Sequence, residues 1–415
     1  MVNMDQVKSF REIIHKGSGF LWCLLSFAIP LDKRFIPLLI LLLFLQSMLT
    51  MNFKVGYQSF RRHFLLKVML LFFILHVTGL LYTHNITVGI TDVTLKLSLI
   101  AFPLILAGNQ NMTARFYNLI FLSFVLGCIT ASLICLGHAA YVYFTTKRIT
   151  FFYSELSVFH HPSYFAMYLN FATVLIFSRI RHIISLRSTI NLFYFILVLL
   201  LSFMIILLSS KAGILTNAFV LVYFFLLNIR NRNFRMINIV FAALAGFIYF
   251  VTFNFIISKD YERIQQSEQT IMTPSIIDSS AVESTAVRLL VWKAAKEVIS
   301  ESLPFGVGTG DEKDILLKKY AEKNYKKPLE GSLNAHNQFL QTTIGIGIPG
   351  LMVLLTLFFY SLVSGVRKRD FVLVMFVIIT GFNFLTESML ETIAGVVFFS
   401  FFLTLLTTMP QKEKT

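Results

Sequence analysis

Apolar runs long enough to cross a bilayer recur along almost the whole chain, and they leave little room for any fold other than a bundle of membrane helices. They fall at about 18–31, 35–53, 64–83, 88–107, 117–137, 162–178, 190–208, 212–228, 237–257, 339–364, 371–386 and 392–409. The pattern predicts an all-α, polytopic integral membrane protein of about twelve spanning helices. Composition points the same way, with 56% hydrophobic residues, 45 Phe and only 14% charged residues. Cys23, Cys128 and Cys135 all lie in apolar runs, which supports neither a disulfide framework nor a thiolate metal site. The first apolar run lacks a small-residue cleavage site, so it reads as a retained helix rather than a signal peptide.

Charge sets the expected orientation. With the N-terminus inside, the termini and the short loops on that side hold 18 of the 36 basic residues, among them Arg61, Arg62, Arg230, Arg232, Arg235, Arg367, Lys368 and Arg369. The short loops on the other side hold only Lys33, Arg34, Lys147, Arg148 and Lys211. The positive-inside rule therefore predicts both termini in the cytoplasm and the one long polar segment outside. It also makes the net charge of +15 a matter of topology. The long segment is nearly neutral, with 11 basic and 12 acidic residues from Ser258 to His336, which argues against a nucleic-acid partner.

The chain thus divides into helices over 1–257, an external segment over 258–338, and helices with a cytoplasmic tail over 339–415. Within the segment, Ser280 and Glu283 have capping-box spacing and predict a helix from Ala281 to about Ser302, ended by Pro304 and Gly306. Arg288, Trp292 and Lys296 share one side of it, and Val287, Leu290, Val291, Ala294 and Val298 the other. A second helix is expected from Asp311 to Asn324, its acidic cluster at Asp311, Glu312 and Asp314 favoured by the helix dipole.

Several residues carry possible chemistry. Arg288, one turn from Trp292, either stacks on the indole at the surface or grips a phosphate with its bidentate fork. His336, between Asn334 and Asn337 at the mouth of a spanning helix, is either an interfacial residue or a base for an attacking hydroxyl. Gly306-Val307-Gly308-Thr309-Gly310 resembles a phosphate-cradling loop but lacks the strand and lysine of a P-loop. Lys211 follows a Ser209-Ser210 turn and is either a snorkelling lysine or an anion ligand. His160 and His161 are adjacent and do not share a helix face, which disfavours zinc. Asp92 and Lys96 have i,i+4 spacing inside an apolar run and predict mutual neutralisation, while Glu387 and Glu391 face either the same cavity or solvent.

This arrangement resembles the O-antigen ligase and O-antigen polymerase superfamily of bacterial envelope enzymes. The resemblance rests on Arg288 with Trp292, Pro304 through Gly308, His336-Asn337 with Phe339-Leu340, and Gly345 with Gly350, in that order and topology. It implies a glycosyltransferase of the inner membrane that moves a glycan from undecaprenyl diphosphate to an acceptor hydroxyl. The acceptor would be lipid A core or a similar glycan for a ligase, and a second lipid-linked repeat for a polymerase. Arg288 would bind the donor diphosphate and His336 would serve as base, with Trp292, Asn337, Lys211, His161 and Glu387 around the substrates. Where the family usually carries Ser-Arg, this chain has Ser210-Lys211, which keeps the charge but loses the fork. No cofactor or metal is expected, because no Asp-x-Asp pair occurs in an outer loop and fixed cations can stabilise a diphosphate leaving group. A transporter or lipid flippase using the same cations is the alternative from another class. It would not need an arginine helix and a histidine at the exit of a large external segment.

Overall fold

The computed structural model describes residues 19–50, 53–107, 113–183, 188–228, 246 and 284–409. The expected helix at 237–257, the capping box at Ser280 and the basic N-terminus lie outside the described residues. The helices are α1 (Gly19–Ala28), α2 (Ile36–Thr50), α3 (Phe53–Arg62), α4 (Phe64–Gly79), α5 (Ile86–Leu95), α6 (Ser98–Ala107), α7 (Ala114–Thr146), α8 (Tyr153–Leu156), α9 (Pro162–Ile183), α10 (Ser188–Leu207), α11 (Lys211–Asn228), α12 (Ser284–Ser302), α13 (Glu312–Glu322), α14 (Lys326–Glu330), α15 (Gln338–Lys368), α16 (Phe371–Thr386) and α17 (Ile393–Thr408). Among the described residues there is no strand, as the apolar periodicity requires.

Among the described residues, four helical stretches are long and apolar enough to cross a membrane: Ile86–Leu106, Ala114–Thr146, Pro162–Ile180 and Gln338–Lys368. A fifth is the pair Gly56–Arg62 and Phe64–Gly79, bent by 94°. Six other apolar helices are shorter, so length alone does not reach the expected twelve spans. Two expected spans are broken. The run at 88–107 turns at Lys96 and Leu97 between α5 and α6, and α15 loses helical geometry at Ile346 and Gly347.

Two helices form the centre. Every residue of α17 from Ala394 to Leu406 is buried, the fate of a helix that is hydrophobic all round. Its Phe398, Phe401 and Phe402 meet Trp22, Phe102, Phe124, Phe171 and Phe376 at ring distances of 4.7–5.9 Å. Helix α9 is buried almost as fully and packs on α7, α10, α11 and α16. Asn170 fixes α11 against it: its side-chain amide donates to the Gly213 carbonyl at 3.0 Å and its oxygen accepts from Asn217 at 3.0 Å. Both central helices begin at the same end of the bundle, just after His161 and just after Glu391.

The segment 284–336 docks on that end. Helix α12 buries Leu290, Val291, Ala294 and Val298, the face its periodicity predicts, against α13 and α15. The glycine-rich run is a splice into the break of α15. The amides of Val307 and Gly308 donate to the carbonyls of Ile344 and Gly345 at 2.8 and 2.9 Å, and Ile348 donates back to Pro304 at 2.9 Å. Gly310 N–H donates to Thr83 Oγ1, and Thr309 Oγ1 donates to the His76 carbonyl. These bonds satisfy backbone groups that a broken spanning helix leaves bare, so the run is a structural dock rather than a phosphate cradle. Gly347 has φ +65°, and a Cβ there would stand 2.0 Å from the Pro304 carbonyl oxygen.

Gly347→Ala should therefore lower stability by at least about 1–3 kcal/mol, the cost of a strained backbone before the clash is counted. Gly137→Ala, whose Cβ meets nothing within 4 Å, should leave it equal or slightly higher. Thermal unfolding of the purified protein in detergent compares them, and equal loss in both would contradict the splice.

Candidate functional site

The site forms where α12, the mouth of α15, the start of α9 and the turn before α17 converge. Asn337 is the N-cap of α15: its side-chain oxygen accepts from the amides of Phe339 and Leu340 at 3.0 and 3.1 Å, and its NH2 donates to the Leu385 carbonyl at 3.1 Å. The residue before it, His336, sits in the left-handed region at φ +43°, and its amide donates to Asn334 Oδ1. A non-glycine residue held there is a strained one, and strain of this kind clusters at functional sites. On α12, Trp292 Nε1–H donates to the Ala335 carbonyl at 3.1 Å, tying the helix to the approach to His336.

Glu387 draws these parts together. Its side chain is only 8% exposed, yet one oxygen accepts from Arg288 Nη2 at 2.8 Å and the other lies 2.9 Å from His336 Nδ1. Ser163 Oγ donates to it at 3.3 Å. Burial by itself raises the Glu387 carboxyl, but the His336 hydrogen bond and the charges of His336, Arg288 and His161 more than offset this and hold it below the ordinary range. An ionised carboxylate only accepts, so Nδ1 of His336 carries the proton. In the neutral ring Nε2 is then the acceptor, the form a general base needs.

Lys211 and His161 complete the wall. Lys211 is the first residue of α11, a position where the helix dipole disfavours a cation, and its ammonium meets Thr285 Oγ1 at 3.2 Å, one turn from Arg288. His161 stands edge-on to Tyr153 and Tyr164. Burial lowers its pKa; Glu387 opposes this, and the charges of His336 and Arg288 add to it. Of the expected site residues, Arg288, Glu387 and His336 thus meet directly, Asn337 and Trp292 hold backbone around them, and Lys211 reaches the same helix at Thr285. The arrangement can take a proton at His336 Nε2 and bind an anion at Arg288 and Lys211.

A second polar cluster lies directly inward. Lys96 is fully buried; its ammonium is paired with Asp92 and meets Glu391 at 3.1 Å. Gln338 donates to Glu391 Oε1 at 3.2 Å and accepts from the amide of Leu390 at 2.7 Å. The spacing of Asp92 and Lys96 announced their pairing, but Glu391 comes from 295 residues away. Glu312 and Asp311 differ from their expected role as helix-dipole acids. Glu312 is buried over Gly345 and accepts from Gln341 at 2.8 Å, with burial and then the Glu391 and Asp92 carboxylates pushing its pKa well up. Asp311 accepts from the amides of His84 and Asn85 at 2.8 and 2.7 Å, pinning the segment to the turn before α5. Ser163, Gln338 and Gln341 were the missed members. Their only sequence signal is polarity within or beside an apolar run.

A family model described as O-antigen ligase matches residues 196–355. The matched stretch contains Lys211, Arg288, Trp292, His336 and Asn337, while His161 and Glu387 fall outside it. No curated protein matches the chain.

The carboxylate bridge gives a pH test. Because the folded pKa of Glu387 is lowered, its stabilising contribution is complete above the ordinary glutamate value of 4.5 and is lost as pH falls through the folded value. Melting temperature measured down through this acid range should fall less for Glu387→Gln than for the wild type, and parallel curves would contradict the bridge.

Proposed function

We propose that this membrane protein, whose residues 196–355 match a family model described as O-antigen ligase, is a glycosyltransferase of the ligase type, moving a glycan from undecaprenyl diphosphate to an acceptor hydroxyl of lipid A core or a similar glycan. The observation that carries the reading is the Arg288–Glu387–His336 constellation, at 2.8 and 2.9 Å, beside Lys211. In this reaction the acceptor oxygen attacks the anomeric carbon of the donor sugar. The bond from that carbon to the diphosphate oxygen breaks, and its electron pair leaves with the diphosphate. His336 Nε2 takes the hydroxyl proton, Glu387 orients and stabilises the imidazolium that forms, and Arg288 and Lys211 neutralise the leaving charge. Such a donor arrives already activated, which suits the external face of the inner membrane, where the loop-charge bias puts residues 258–338 with both termini cytoplasmic. The cations make a metal unnecessary for this step.

Purified protein in detergent, given undecaprenyl-diphosphate-linked glycan and lipid A core, should catalyse covalent transfer that survives EDTA. His336→Ala should lower the rate about 10²–10⁴-fold, the usual worth of a positioned base. Arg288→Ala should weaken it through the donor. Transport without transfer, unaffected by His336→Ala, would sink the reading in favour of a transporter. Cells lacking the protein should keep polymer on the undecaprenyl carrier; single repeats in its place would favour a polymerase.

A further inference from the structure

A cavity of about 480 Å³ is walled in part by His161 and by neither Arg288 nor Lys211, and nothing in the reaction above uses it. Lys33, Ser154, Ser157, His161, Tyr164 and Glu391 supply its polar and aromatic lining. We propose that this cavity is the acceptor subsite, holding the sugar whose hydroxyl is to be glycosylated; the assignment rests on the transferase reading and deepens it.

Three observations carry the inference. Its size lies within the range of small-ligand sites, about 300–1,000 Å³. Its lining matches a sugar's two-sided chemistry: carboxylate, ammonium and hydroxyl groups for the sugar hydroxyls, and the rings of Tyr164 and Phe159 for the apolar faces of a pyranose. Glu391 does not swing freely, because Lys96 and Gln338 hold its two oxygens from behind, so it is a pre-set acceptor in the cavity wall. Position then decides between the two substrates. The lining includes neither Arg288 nor Lys211, and it carries one lysine, Lys33, together with the Glu391 carboxylate, a poor composition for receiving a diphosphate. His161 belongs both to the cavity wall and to the surroundings of Glu387 and His336, which sets the cavity next to the proposed base.

The test uses the full-length protein in nanodiscs with Val158→Cys, an exposed lining position, and a membrane-impermeant thiol reagent. The wild type measures background labelling at Cys23, Cys128 and Cys135. The probes are sugar-free undecaprenyl diphosphate and core-lipid A extracted from source cells lacking this protein. Core-lipid A at about ten times its Kd should slow labelling about tenfold, as simple occupancy requires. Undecaprenyl diphosphate should leave it unchanged. Protection by undecaprenyl diphosphate, or by neither probe, overturns the assignment. As a second measurement, Ser154→Trp, which fills the cavity, should raise KM for core-lipid A about tenfold with little change in KM for the donor. An unchanged acceptor KM overturns it as well. Failure of the wild type to transfer glycan at all would instead sink the parent reading, and the protection result would still show which lipid enters the cavity.

Discussion

The carboxylate of Glu387 is the contact on which the site depends. A buried carboxylate is tolerated only when its oxygens are satisfied, and here the partners come from distant parts of the chain: Arg288, 99 residues away on α12, and His336, 51 residues away at the mouth of α15. Ser163, from the first turn of α9, adds a third donor. One side chain therefore locks the segment 284–336 onto the core of the bundle. The same bonds fix the proton on His336 Nδ1 and hold Arg288 one turn along α12 from Thr285, which the Lys211 ammonium meets. Removing one partner of such a buried pair typically costs about 3–5 kcal/mol, so placement and function cannot be separated easily at this position.

Four residues further on, Glu391 repeats the device at greater depth. Lys96 is fully buried in an apolar helical stretch, a position that is costly unless the charge is paired, and Asp92 and Glu391 pair it. Gln338 links this group to the helix that His336 opens. On the other side, Glu312 and Gln341 join α13 to α15, and the amides of Val307 and Gly308 repair the break in that helix. The segment 284–336 is thus held by polar bonds at each edge and by a small apolar core of Val291, Ala294, Val298, Leu316 and Tyr320 beneath it. A site on such a frame is pre-organised, which is what the electrostatic stabilisation of a leaving diphosphate in the proposed reaction needs.

Much of this was legible in the residues themselves. The apolar runs announced an all-helical membrane protein, and the periodicity of α12 gave both its buried face and the shared side of Arg288 and Trp292. Spacing alone paired Asp92 with Lys96. What escaped were contacts that depend on tertiary packing. Glycine and proline are tolerated in spanning helices, so Gly345, Gly347 and Pro349 gave no warning of a break, and the glycine run that repairs it looked like a phosphate loop. Glu387 was visible as a charge near the site, but its bridging role depends on two partners that only the fold brings to it. Glu312 looked like an ordinary first-turn acid because local sequence cannot tell a solvated carboxylate from one buried over a glycine.

The most direct measurement is an experimental structure of the protein with undecaprenyl diphosphate bound. Both phosphates should lie between Arg288 and Lys211, with His336 still held by Glu387 and its Nε2 facing the space between the diphosphate and His161. A diphosphate bound away from these two cations, or a His336 turned off Glu387 in the complex, would contradict it.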